Sequence, residues 1–372
     1  MMGRFDNLPK DIILDILTRL PTECVLDSKL VCKRWRDVVH LPPFSKIHLD
    51  HLKSAANDSG KLSFLFTFYD QGIKEIFYAE YDEKCHEKPL TRKTSINFDP
   101  PVRYNYYSVC SCDGLLCFTG LFNGGKRARL HYGPTCICNP ITREYVILPD
   151  YEGKYRWYGF GYVVSTNEYK VVRISESGGD SNVGIIQVNT LGSGIGWRNA
   201  GMLDINMKYV RKGDGAFAGE ALHWVDTKRT IILAFSLVDE KFSELPSPPP
   251  SLARASVPYL DVKLGVSGDF LSATYYNASD SDLWFFKKNK DNSDLSWSKE
   301  FGFRSHILPP FEFTKSGRLL CHENENIYTY DPKASFTKLD VSSGKAVSDA
   351  IPYKNTLVSL KVLGEKDVKT ME

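Results

Sequence analysis

The chain has 372 residues, 42% of them hydrophobic and 13% aromatic, which is ample for packed cores and suggests one small and one large module. Lys plus Arg number 47 against 45 Asp plus Glu, a formal net charge of +2, so there is no basic excess to serve nucleic acid or a membrane surface. No apolar run reaches the length of a membrane span, and the opening MMGRFDNLPKD lacks the apolar stretch of a secretory signal.

Residues 8–39 read LPKDIILDILTRLPTECVLDSKLVCKRWRDVV. Pro9 suits a first helical position, and Ile12, Ile13, Ile16, Leu17 and Leu20 recur at the spacing of one helix face, with Lys10, Asp11, Asp15 and Arg19 opposite. Pro21 ends that helix, and Thr22 is a fair cap for a second carrying Val25, Leu26 and Leu30. A third holds Val31, Cys32, Trp35, Val38 and Val39 and stops before Pro42-Pro43. Three helices this short cannot hide all these groups from water. The surplus must dock either on the rest of the chain or on another protein.

The order L-P, I-L, L-P, then VCKRW resembles the F-box almost without gaps. The resemblance implies a Skp-type adaptor as partner and, through it, a cullin scaffold. Carried over by position, Leu8 and Pro9 enter the adaptor groove, Ile13, Leu17 and Leu20 extend the contact, and Val31, Cys32 and Trp35 form the second cluster. Such a contact is helix-in-groove recognition. Trp35 reads equally as a binding hot spot or as an internal core residue.

Beyond about Phe44 the pattern changes to period 2. KLSFLFTF, YSVCSCDGLLCF, GFGYVVSTNEYKVVRI and RLLCHENENIYTYDP read as short strands separated by Asp-Gly, Asn-Pro and other turn residues. A loose repeat of about forty to fifty residues gives four strands per unit, the arithmetic of a propeller blade. About six blades are expected: 105–150, 157–200, 215–247, 262–302, 306–342, and one that joins IPYKNTLVSLKV to strands from 45–100 and closes the ring. The expected fold class is therefore α+β multidomain, a three-helix F-box over 4–50 and an all-β, kelch-like propeller over 51–363, with 364–372 a flexible tail.

CDGLLCF, NPITREYVILP, GFGYVVSTNEYKVV and EALHWV resemble the F-box-associated domain of plant F-box proteins, a kelch-like domain. Only Gly124-Gly125 and Gly178-Gly179 form the Gly-Gly doublets that true kelch repeats carry in every blade. Together the two resemblances imply the substrate-recognition subunit of an SCF-type ubiquitin ligase. A scaffold or ligand-reading role outside a ligase is the alternative.

The residues give little reason to expect chemistry. Nine cysteines, an odd count, fit reduced thiols in the cytoplasm or nucleus. Cys110, Cys112, Cys117, Cys136 and Cys138 lie on strands without the C-x(2–4)-C turns of structural zinc, and read as small core hydrophobes. Neither GFGYVV nor GDGAFAGE is followed by a helix that would make a phosphate loop, and neither G-x-S-x-G nor H-E-x-x-H occurs. We expect no catalytic residue, no cofactor and no metal. Recognition falls to three loops, 120–133, 150–158 and 206–215, which combine basic and aromatic residues. Their candidates are Arg127, Arg129, Tyr155, Arg156, Trp157, Tyr209 and Arg211, with Trp157 readable also as a strand core residue.

Overall fold

A computed structural model describes residues 8–59, 61–70, 73–85, 89–96, 106–123, 130–149, 155–177, 180–207, 209–210, 213–226, 231–249, 261–268, 270–276, 280–288, 294–304, 310–331, 336–339 and 346–371. It opens with helices α1 (Lys10–Thr18), α2 (Thr22–Ser28) and α3 (Lys33–Val39), close to where the apolar periodicity places them. The exceptions are Leu30 and Val31, expected on the second and third helices, which lie in the turn between them, and Cys32, which caps α3 from outside. Pro9 and Pro21 stand immediately before α1 and α2 with extended backbone, so each proline sets a helix entry without removing a needed amide. Ile13, Leu17, Val25, Val38, Val39 and Phe44 form the core of this unit.

A fourth helix, α4 (Phe44–Ser59), occupies the stretch in which the sequence pattern gives only a switch toward strands. Its buried side is narrow: Phe44 stacks on His48 at 5.8 Å between ring centres, and Leu49 follows. A stripe of so few residues leaves little periodic signal, and tertiary packing stabilises the helix instead.

Six sheets then form a ring, the six-bladed propeller expected. Blades 2 to 6 begin with inner strands Tyr106–Cys112, Tyr155–Val163, Ala216–Ala218, Asp261–Ser267 and Glu312–Phe313 and step outward by antiparallel pairing. Blade 1 contains Lys61–Asp70, Ile73–Asp82 and Leu90–Ser95, and takes its inner strand, Ala346–Pro352, from the far end of the chain. Phe64 pairs with Pro352 and Tyr69 with Ala346, so ring closure removes an open sheet edge.

Closure thus uses 346–352, earlier than the IPYKNTLVSLKV segment expected to supply it; residues 353–368 form no strand. The final stretch, expected to be a flexible tail, contains Lys369–Thr370, which pairs with Tyr145 and Glu144 of blade 2. Met371 packs onto the same blade's core.

Adjacent blades are cemented by aromatic and branched side chains. Trp157 and Trp224, 6.0 Å apart, join blades 3 and 4 with Leu222 and Phe235. Phe64, Phe66 and Phe311 join blades 1 and 6. The glycines of GFGYVV serve this packing: a Cβ on Gly159 would sit 2.6 Å from Leu222, and one on Gly161 2.4 Å from Phe217.

Candidate functional site

Two surfaces merit attention: the helical unit and the axis of the ring. In the helices, Ile13 and Leu17 are fully buried in the core. Leu8, Leu20 and Trp35 are half-buried against it, Cys32 is half-buried, and Pro9 is exposed. Five branched apolar side chains remain in water: Leu30 (86% exposed), Val31 (65%), Ile12 (44%), Ile16 (40%) and Leu41 (37%). Ile12 and Ile16 are one turn apart on α1, as a groove-binding helix requires. Among the residues expected to touch an adaptor, Val31 and Pro9 are therefore outward-facing, whereas Ile13 and Leu17 hold the helices together.

The ring encloses a cavity of about 1460 Å³ lined by the inner strands of all six blades. One end is covered by α4, whose Leu49 and Lys53 line the cavity together with Lys354. Lys53 Nζ lies 2.8 Å from Asp113, at the end of blade 2's inner strand, and 5.2 Å above the Tyr162 ring near the end of blade 3's. The Lys354 ammonium, just past the end of blade 1's inner strand, donates to the Leu52 carbonyl at 3.0 Å. The helices therefore sit where the inner strands finish. The opposite mouth is where those strands begin.

Glu312 and His322 are among the buried titratable groups that line the cavity. Glu312 accepts from Ser267 Oγ at 2.6 Å and from the Phe313 amide at 2.9 Å. Burial nevertheless pushes its carboxyl up to about 7, against the pull of those hydrogen bonds and of the Gly268 amide. His322 is lowered to about 4 by burial and by nearby Lys263, and its Nδ1 has no partner. The Cys112, Cys117 and Cys138 thiols are driven well above their ordinary value by burial, and Cys136 and Cys321 up to about 12. Thiols so protonated are poor nucleophiles and poor ligands. Among the described residues no group of three or more His, Cys, Asp or Glu is placed to hold a metal.

A model described as the F-box associated beta propeller domain matches residues 63–319, and an F-box-like model matches residues 5–44. The chain belongs to the F-box-associated propeller family. It is 27% identical to the Arabidopsis thaliana F-box protein At3g07870 over 336 residues, covering 82% of this chain and 74% of that one. It is also 27% identical to putative F-box protein At1g53550 of the same plant, over 64% of this chain and 58% of the relative. Among solved structures, a chain from a nidogen/laminin complex aligns over 80% of this chain and 99% of its own, at TM-score 0.43 and 9% identity.

Within this F-box protein, the strand directions locate the loops singled out for recognition. Leu115–Asn123 runs away from the α4 end, and the strands Tyr155–Val163 and Ala216–Ala218 begin at the other end, so the described residues flanking these stretches lie on the face opposite the helices. Arg127, Arg129 and Arg211 lie outside the described residues. Tyr155 and Arg156 belong to the strand Tyr155–Val163 rather than to a loop. Trp157 is fully buried between blades 3 and 4, a core residue whose indole cannot reach a partner. Tyr209 is exposed, beside the buried Val210. The sequence reading missed Asn139, Glu144 and the segment 353–365, which join the helices to the ring. Only the asparagine of an Asn-Pro turn could have drawn notice, and it reads locally as turn chemistry.

Proposed function

We propose that this F-box protein is the substrate-recognition subunit of an SCF-type (cullin–Skp–F-box) E3 ubiquitin ligase. In this reading the helices bind a Skp-type adaptor, the adaptor links them to a cullin, and the propeller holds a protein target. The chain contributes proximity: it keeps lysines of the target within reach of the conjugating enzyme and makes or breaks no bond itself. The cytoplasm and nucleus are the compartments where this would operate.

The observation that carries the reading is the helical surface. The unit's core is complete and the unit is docked on the propeller, yet Ile12, Ile16, Leu30 and Val31 stay in water. Ile12 and Ile16 one helical turn apart, with Leu30 and Val31 in the turn before α3, give an apolar surface beside a finished core that suits a partner's groove. The polarity of the molecule supports the rest, since the adaptor-side helices and the starts of the inner strands lie at opposite ends of the ring.

The test is co-expression with a Skp-type adaptor followed by pull-down, comparing the natural chain with an Ile16→Asp, Val31→Asp variant. Near-stoichiometric capture that the folded variant loses supports the reading. A folded, soluble chain that ignores the adaptor overturns it and leaves the helices as a cap on the ring.

A further inference from the structure

Residues 353–365 leave the closing strand of blade 1 and run between the helices and the ring. Successive side chains serve opposite partners. Toward the helices, the Asn355 carbonyl accepts from Thr22 Oγ1 at 2.6 Å, Asn355 Nδ2 donates to Glu23 at 2.5 Å, and Leu357 is buried in the helical core beside Ile13 and Leu17. Toward the ring, Thr356 Oγ1 donates to the Asp113 carbonyl at 2.7 Å, and Asn139 Nδ2 donates to the carbonyls of Thr356 and Val358. Glu144 then accepts from Ser359 Oγ at 3.0 Å and from the Leu360 amide at 2.7 Å, and Gly192 donates its amide to Glu365 at 2.7 Å. Val358 and Leu360 are buried in the core between blades 2 and 3.

We propose that residues 353–365 are a latch that fixes the adaptor-binding helices in one orientation on the propeller, with Leu357 and Asn355 as the positioning residues. The ion pair that also crosses this junction, Lys53 to Asp113, has its lysine half in solvent and holds little by itself. Leu357, fully shared with the helical core, is the apolar anchor. A receptor that works by proximity gains from one fixed distance between adaptor and target, because a freely hinged pair spreads the target's lysines over a large volume. The latch follows the closing strand directly in the chain, so only a closed ring presents it. The helices are thereby oriented by a segment that follows every inner strand in the chain. This inference rests on the adaptor-binding reading of the helices for its purpose, but not for its geometry.

The experiment is single-molecule energy transfer on the full chain, with and without a Skp-type adaptor, using dyes on unnatural residues at the exposed positions Asp37 and Glu325. One narrow distance distribution is expected for the natural chain. Leu357→Ser should broaden it at least twofold while thermal melting of the propeller and adaptor capture are retained. Thr22→Val with Asn355→Ala leaves the apolar anchor intact and should broaden it in the same direction, which decides the matter if Leu357→Ser fails to fold. A distribution that stays narrow in the folded variants overturns the latch. So does loss of the propeller itself in both, since the segment would then be ring core and not a separable device. If the natural chain ignores the adaptor but its narrow distribution still broadens in the variants, the ligase reading fails and the latch stands.

Discussion

Asn139 donates both amide hydrogens of its side chain to a segment more than two hundred residues further on: 3.1 Å to the Thr356 carbonyl and 2.7 Å to that of Val358. Its Oδ1 accepts the Ile141 amide at 2.9 Å, so one fully buried side chain satisfies three backbone groups. Asn139→Asp keeps the acceptor but removes both donors and sets a carboxylate against two carbonyls. At about 1–3 kcal/mol for each buried group left unpaired, the loss should exceed about 3 kcal/mol. Urea denaturation followed by tryptophan fluorescence measures it; a cost under about 1 kcal/mol would mean that water replaces the amide.

What the sequence shows and what it hides divide along contact distance. The first three helices and the blade cadence are legible because their periods, 3.6 and 2, are local properties of the chain. The latch is not, because Thr22 meets Asn355 across 333 positions and no local pattern records that meeting. The same distance explains the helical surface. Periodicity marks Ile12, Ile13, Ile16 and Leu17 alike as apolar, and the face that turns inward is settled by tertiary partners, Val25, Val38, Val39 and Phe44 of the other helices and Leu357 of the latch. Trp157 repeats the lesson: a tryptophan beside an arginine suggests an interface, and a facing Trp224 from the next blade makes it core.

Two sets of substitutions in the helices should therefore separate. Leu17→Ala empties a fully buried site and should cost about 2–5 kcal/mol of stability. Val31→Asp changes a side chain already in water and should leave stability within about 0.5 kcal/mol while abolishing adaptor capture. Denaturation and pull-down on both variants give a two-by-two result. Stability lost at Val31 and spared at Leu17 would show that the helical unit packs differently in solution.

Gly192 marks how closely the latch lies on blade 3. Its φ is +78°, and a Cβ there would fall 1.7 Å from the Leu363 carbonyl oxygen, backbone that cannot swing aside. Gly219 also has positive φ, +57°, but nothing within 4 Å of the same position. Gly219→Ala should cost only the backbone penalty, about 1 kcal/mol. Gly192→Ala must displace residues 363–365 as well and should cost at least twice that. Equal melting temperatures for the two variants would show that the segment does not lie against the blade.

Glu312 and His322 line the same cavity and titrate in opposite senses. A carboxyl at about 7 in the folded chain and 4.5 unfolded takes up protons on folding between those values, so its contribution to stability is full below pH 4.5 and lost as the pH rises through 7. His322, near 4 folded and 6.5 unfolded, contributes fully above pH 6.5 and loses that contribution as the pH falls through 4. Between about pH 4.5 and 6.5 the two slopes, each on the order of 1.4 kcal/mol per pH unit, offset each other in the natural chain. Glu312→Gln keeps an acceptor for Ser267 and removes the falling slope, so its stability relative to the natural chain should climb from pH 4.5 to 7 and then level. His322→Gln removes the rising slope, so its relative stability should fall from pH 4 to 6.5. Chemical denaturation at half-unit pH steps reads both differences. A pH-independent difference for Glu312→Gln would mean that the carboxyl titrates near its ordinary value because water reaches it in the cavity.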